Sequence, residues 1–348
     1  MKSLIRKSVN KMAGYVPGEQ PVGEGVIKLN TNENPYPPSP RVAAAVNDGL
    51  FADLRLYPDP EGGSFRKAVA ELHGCADSQV FVANGSDEAL ALCTRAFVEN
   101  DGSIGYFSPS YSLYPVLADI RGAVRKPVEL GEKFGWRMPR GYRASLFFLT
   151  TPSAPSGIRY PRNTVEEFCR TFPGVVVLDE AYVDFAEDNY MDMALNMDNV
   201  LVARSMSKSF SLAGLRAGYI AGNEKLIDAL RKIKDSYNVG ALTQRLAVEA
   251  IRDIDYMREN VAKIKASRER LASALRKMGF EVGRSETNFL WARPSDISAE
   301  ALFERLKSMN VYVRYFPGER TGGFVRISIG TDREIDKLLE CVSLICSS

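Results

Sequence analysis

Between residues 64 and 222, short apolar runs alternate with stretches of helical spacing. The runs Gln79–Ala83, Ser103–Phe107, Ser145–Thr150, Val175–Asp179, Val200–Ser205 and Ala217–Ala221 have strand length. Val175–Asp179 is apolar without interruption until its last residue, as expected of a strand covered on both faces. The intervening spacing predicts helices over Ser64–Gly74, Ser86–Val98, Ser112–Arg121 and Arg162–Thr171. Such alternation predicts an α/β fold, a mostly parallel sheet sandwiched by helices. Ahead of it, residues 1–28 read as a short amphipathic helix and a Pro/Gly arm, followed by a helix near Arg41–Leu50. Residues 223–280 look helical almost throughout, with Gly240 as the one interruption. Their second part is long, charged and without proline, as in a helix that bridges two domains. The remainder reads as a smaller α+β domain packed with the N-terminal arm. The expected organisation is therefore an arm (1–28), a large domain (29–250) and a small C-terminal domain (251–348).

Composition narrows the class. A chain of 348 residues accommodates about two domains of ~150 residues each. With 45 basic and 43 acidic residues there is no charge excess to draw nucleic acid or a membrane surface. The five cysteines are scattered with no CxxC pair, which fits reduced thiols better than a disulfide framework. No apolar run has the length of a signal-peptide core or a bilayer span. A cytoplasmic protein is expected. No GxGxxG follows a strand, which disfavours a nicotinamide site.

Candidate chemistry concentrates in two stretches. RSMSKSFSLAGLRAGY (204–219) places Lys208 among hydroxyls (Ser205, Ser207, Ser209, Ser211) and ahead of Arg216, at the end of a strand. A lysine amine depressed by a nearby cation can attack a carbonyl, and hydroxyls with a guanidinium can hold a phosphate. On this stretch alone, a solvated lysine in a Ser-rich loop is an equally good reading. GVVVLDEAYVDF (174–185) runs an apolar strand into Asp179, Glu180 and Tyr182. A carboxylate at the carboxyl end of such a strand can pair with a protonated ring nitrogen. A helix cap or a metal ligand is the alternative, with metal weaker because no His or Cys stands at ligand spacing. In VFVANGSDEALALCTRAF (80–97), Gly85, Ser86 and Asp87 open a helix whose N–H groups can bind phosphate. Ser86 or Asp87 capping that helix is the ordinary alternative.

These stretches, together with LNTNENPYPPSP, resemble the fold type I pyridoxal-phosphate aminotransferases, and most closely the histidinol-phosphate aminotransferase family. The likeness runs from YVPGE at Tyr15 to Thr331. It implies a pyridoxal 5'-phosphate cofactor, with Lys208 as the Schiff-base and proton-moving amine and Asp179 against the ring nitrogen. Gly85, Ser86, Asp87, Ser205, Ser207 and Arg216 then belong to the phosphate site. Tyr111 would stack on the ring, and Tyr182 would donate to its phenolic oxygen. Tyr57 would reach the phosphate of the neighbouring subunit, which implies a homodimer with shared sites. Tyr15, Asn32, Arg314 and Arg326 would approach the substrate. Taken singly, Tyr111 reads rather as an ordinary buried tyrosine, and each C-terminal arginine rather as an exposed strand-end residue.

One position departs from the family pattern. Ala154 in TTPSAPSG stands where many relatives have an asparagine that donates to the same phenolic oxygen, with Ser153 as a possible substitute. The implied reaction moves an amino group between histidinol phosphate and 2-oxoglutarate. Threonine-phosphate decarboxylase and aromatic amino-acid transaminase are the alternatives on the same scaffold. A non-enzymatic module is disfavoured, because Lys208, Asp179, Tyr182 and Arg216 are all present. No metal is expected, and the single histidine, His73, near the end of a surface helix, is given no catalytic role.

Overall fold

The structure is a computed structural model that describes residues 3–47 and 52–347. Seven strands form the main sheet: β1 (Val80–Ala83), β2 (Ser103–Ser108), β3 (Val124–Glu129), β4 (Leu146–Thr150), β5 (Val175–Asp179), β6 (Val200–Ser205) and β7 (Gly218–Gly222). Their spatial order is β1-β7-β6-β5-β4-β2-β3. Pairing from β6 across to β3 is parallel, and only β7 runs antiparallel to its two neighbours. The α/β expectation, with a mostly parallel sheet covered by helices, is what the chain forms.

Because side chains alternate across a strand, the central strands feed two separate cores. Val176 and Leu178, with Phe147, Leu149, Val200 and Val202, enter one. Val177, with Leu146, Phe148, Leu201 and Ala203, enters the other. Phe148→Ala is expected to cost about 3–5 kcal/mol. The register sets Thr150 beside Asp179 and Asp179 beside Ala203. The polar strand ends Thr150 and Asp179 therefore lie together at the carboxyl edge of the sheet.

Strand β3 was not expected from its sequence. VRKPVE is mostly exposed, carries Pro127 and occupies the sheet edge. Edge strands tolerate charge and proline because one row of their backbone groups faces solvent. The helical region also breaks more often than Gly240 alone would break it. Helices span Glu224–Ile233, Ala241–Arg252 and Ile254–Lys277. At Asp253 the backbone leaves helical geometry and the carboxylate accepts the Ser39 hydroxyl. That tertiary contact leaves no trace in local periodicity. The helix near Arg41–Leu50 is present as Pro40–Asn47, and its expected end lies outside the described residues.

A second, antiparallel sheet contains β8 (Glu281–Val282), β9 (Phe289–Arg293), β10 (Arg314–Tyr315) and β11 (Val325–Ser328), in the order β10-β11-β9-β8. The arm joins this half of the molecule: Ile27–Lys28 pairs in parallel with Val311–Tyr312. His73 is not a surface group. Its ring hydrogen-bonds the Tyr219 hydroxyl at 2.8 Å, and burial with the Arg204 charge pushes its pKa down to about 3. Among the described residues no helix is long and apolar enough to cross a membrane, and the five cysteines are unbridged.

Candidate active site

The carboxyl ends of β4, β5 and β6 open into a cavity of about 400 Å³. Open α/β sheets bind ligands at this edge, and the volume suits a small molecule. Tyr15, Asn32, Ser86, Asp87, Tyr111, Asp179, Tyr182, Ser205, Ser207, Lys208, Arg216, Arg314 and Arg326 all line it. These residues span most of the chain, and only the fold brings them together. Tyr57 stays outside: it is 81% exposed and stacks on Tyr237 with ring centroids 4.4 Å apart.

Lys208 lies on the loop after β6, with Nζ donating to the Thr31 carbonyl at 3.2 Å. The loop is pinned from both sides. Asn34 donates to the carbonyls of Lys208 and Ser209 at 2.9 and 3.1 Å, and the Ser209 hydroxyl donates to Asp184. The first part of LNTNENPYPPSP, residues 30–33, lines the cavity. Burial pushes the Lys208 amine down to about 8; the Arg326 charge acts in the same direction, and Glu33 and Asp87 oppose it.

Asp179 ends β5. One carboxylate oxygen accepts from Tyr114 Oη at 2.7 Å and the other from the Ala181 N–H at 3.2 Å. Among the described residues no cation pairs with it. Burial raises its pKa to about 6, against the lowering effect of those two hydrogen bonds. Tyr114 was passed over in the sequence as one tyrosine among many. Its ring is fully buried, stacks on Phe148 and delivers its hydroxyl to the key carboxylate. A buried tyrosine hydroxyl needs a partner, but nothing local in the sequence says which.

At the other end, helix Ser86–Phe97 begins at Gly85 with no side-chain cap. Neither Ser86 nor Asp87 plays the capping role: Asp87 instead accepts from Tyr111 and Arg216, each at 3.2 Å. Arg216 also donates to Ser207 Oγ at 3.4 Å, from a left-handed backbone at φ 56°. Gly85 makes that guanidinium fit, since a Cβ there would stand 2.7 Å from Arg216 Nη2. Gly218 does the same for the helix start, where a Cβ would meet Ser86 N at 2.7 Å.

Arg314 and Arg326 are direct cross-strand partners on β10 and β11. Like charges placed opposite one another destabilise a sheet. Neither has a carboxylate partner among the described residues. Arg314 donates to the Pro17 carbonyl at 3.3 Å and Arg326 to the Asn30 carbonyl at 3.0 Å, while Arg326 Nε is buried without a partner. Ala154 lines the cavity, whereas Ser153 is buried beside Tyr160 and does not. Ser153 is therefore not placed to substitute for the missing asparagine.

Beneath the site, Glu180 is fully buried. Arg204 holds it at 2.7 Å, and it also accepts from the Tyr190 N–H at 2.6 Å. Arg204→Ala is expected to lower unfolding free energy by about 3–5 kcal/mol, because it strands a buried carboxylate. Denaturant unfolding followed by fluorescence measures this, and a loss under about 1 kcal/mol would contradict it. Among the described residues no group of acidic, histidine or cysteine side chains is placed to hold a metal.

Comparison with known proteins agrees with this arrangement. Residues 24–342 match the family described as aminotransferase class I and II. The chain is 42% identical to histidinol-phosphate aminotransferase of Microcystis aeruginosa, over 98% of both chains. It is 40% identical to the enzyme of that name from Rippkaea orientalis, over 99% of both. The solved histidinol-phosphate aminotransferase of Sinorhizobium meliloti, in complex with pyridoxal-5'-phosphate, shares the fold at TM-score 0.88 and 23% identity. That match covers 100% of this chain and 98% of that one. With the sequence match spanning nearly its whole length and the polar strand ends gathered at one cavity, this chain belongs to the class I and II aminotransferases.

Proposed function

We propose that the cavity binds pyridoxal 5'-phosphate and exchanges an amino group between histidinol phosphate and 2-oxoglutarate, giving imidazole-acetol phosphate and glutamate. The observation that carries this reading is a charge mismatch which the fold leaves open. Among the described residues a buried carboxylate, Asp179, has no cation, and two facing arginines have no anion. Buried charges are costly unless paired, so a ligand with a protonated ring nitrogen and anionic groups matches the site. Names of near full-length relatives at about 40% identity support the substrate.

The cofactor supplies an aldehyde for the amine and a ring that takes up an electron pair. Lys208 Nζ would hold it covalently, and the same amine, when free, would serve as base for the proton on the substrate α-carbon. Asp179 keeps a proton on the ring nitrogen. The uncapped N–H groups at Ser86, the hydroxyls of Ser205 and Ser207, and Arg216 hold the phosphate. Tyr111 packs against the ring, and Tyr182 donates to the phenolic oxygen. Arg314 and Arg326 take the substrate's carboxylate or phosphate through forked hydrogen bonds, with Tyr15 alongside.

Incubation with histidinol phosphate and 2-oxoglutarate should give glutamate in equal amount to the amine consumed. Carbon dioxide from threonine phosphate without any glutamate would overturn the assignment. The depressed Lys208 amine sets a further expectation. An amine is nucleophilic when neutral, so reconstitution of cofactor-free protein should accelerate as pH rises through about 8. For an ordinary lysine the same rise would come near ~10.4.

The unit is a homodimer in this reading, and a cytoplasmic location accords with the free thiols. Tyr57, Leu54, Leu56 and Tyr237 form an exposed apolar surface, with Tyr57 outside its own cavity. If Tyr57 crosses to the partner's phosphate, Tyr57→Ala and Lys208→Ala complement each other. Mixed dimers then contain one intact site, so re-associated mixtures should recover about a quarter of wild-type activity. Recovery no greater than the sum of the parents would count against shared sites.

A further inference from the structure

Asn32 is buried at a left-handed φ of 56°, in contact with Ser328, Asn288 and Tyr182. Its N–H donates to Ser328 Oγ at 2.9 Å, and the Ser328 hydroxyl donates back to Asn32 Oδ1 at 2.9 Å. Its carbonyl accepts from Asn288 at 2.9 Å. Its remaining group, Nδ2, donates to the Tyr182 oxygen at 3.0 Å.

This pattern fixes the direction of the amide. A serine hydroxyl has one proton and two lone pairs; among the described residues Asn32 Oδ1 is the acceptor recorded for that buried proton, and a reversed amide would leave it without one, so the amide nitrogen faces Tyr182. Tyr182 therefore receives a hydrogen bond from behind and has its single proton left for the cavity. An accepted hydrogen bond polarises a hydroxyl and strengthens it as a donor. Across the cavity, Ala154 offers only a methyl group where the family pattern has a second donor.

We infer that Ser328 and Asn32 act as a positioning relay for Tyr182. They aim and strengthen its one proton, so that a single hydroxyl serves the cofactor's phenolic oxygen in a chain that lacks the donor at position 154. The inference rests on the cofactor reading above and gives Asn32 a role apart from substrate contact.

The test is a pH titration of the visible band of the holoenzyme. Weaker donation leaves more negative charge on the phenolic oxygen, which then holds the proton on the Lys208-derived nitrogen more tightly. Asn32→Ala should move the midpoint upward by about half to one pH unit. Ser328→Ala, which removes only a hydroxyl, should move it the same way by less, and carries the test should Asn32→Ala not fold. In a Tyr182→Phe background, Asn32→Ala should add nothing, because the relay acts through that hydroxyl. Ala154→Asn should bring the Asn32→Ala midpoint back down.

An unmoved midpoint, or an equal shift with and without the Tyr182 hydroxyl, overturns the relay while leaving the cofactor reading intact. Failure of the cofactor reading looks different: the wild type itself would show no visible band, or a borohydride-trapped adduct away from Lys208.

Discussion

Lys208→Ala is expected to lower amino transfer by at least about 10⁴-fold, because in the proposed reaction one amine serves as both covalent anchor and base. The neighbouring geometry leaves no substitute. The other cations that line the cavity are Arg216, Arg314 and Arg326, and a guanidinium does not lose its proton at working pH. Asn34, which grips the backbone carbonyl of residue 208 rather than its side chain, keeps the loop in place in the variant. Folding and phosphate binding should therefore survive. Glutamate formation measured over single and multiple turnovers checks the prediction. A variant within about 10²-fold of wild type would remove Lys208 from the chemistry.

Asp179→Asn is expected to cost about 10²- to 10⁴-fold in rate, equivalent to the 3–5 kcal/mol lost when one partner of a buried ion pair is removed. The substitution keeps shape and an acceptor for Tyr114 but turns an NH2 toward the Ala181 N–H, so the loss reports the charge together with one long hydrogen bond. It also has a pH signature. In the cofactor-free protein Asp179 is raised to about 6, above its value in an unfolded chain of ~3.8. The native state then binds more protons than the unfolded state across that window, and stability falls as pH rises through it. A cation placed against the carboxylate removes this penalty. Thermal stabilisation by the cofactor should accordingly be larger near pH ~7.5 than near pH ~5 in the wild type, and that difference should be smaller in Asp179→Asn, where the Asp179 part of it is gone and the titration of Lys208 remains. A pH-independent gain in the wild type would mean that Asp179 does not face the ring nitrogen.

Much of the architecture was legible because its signals are local. Apolar runs of strand length located β1, β2, β4, β5, β6 and β7 to within a residue or so at each end. Strand β3 escaped because an exposed edge needs no apolar pattern. The break at Asp253 escaped because its cause, Ser39, lies far away in the sequence. Residues such as Lys208 and Asp179 were visible because their motifs place chemistry at strand ends. Tyr114, Ser328 and Asn288 carried no such mark.

Amino-acid order alone, then, determined which segments become strands and helices and which side chains carry reactive groups. Both follow from short-range periodicity and from functional-group chemistry. Tertiary structure decided which tyrosine reaches Asp179, that Asn32 turns its amide to Tyr182, and that Arg314 faces Arg326 without an anion between them. The Ser328–Asn32 contact behind that amide joins residues 296 positions apart. A hydrogen bond forms only where the packed backbone brings donor and acceptor within about 3 Å, a condition no local pattern encodes.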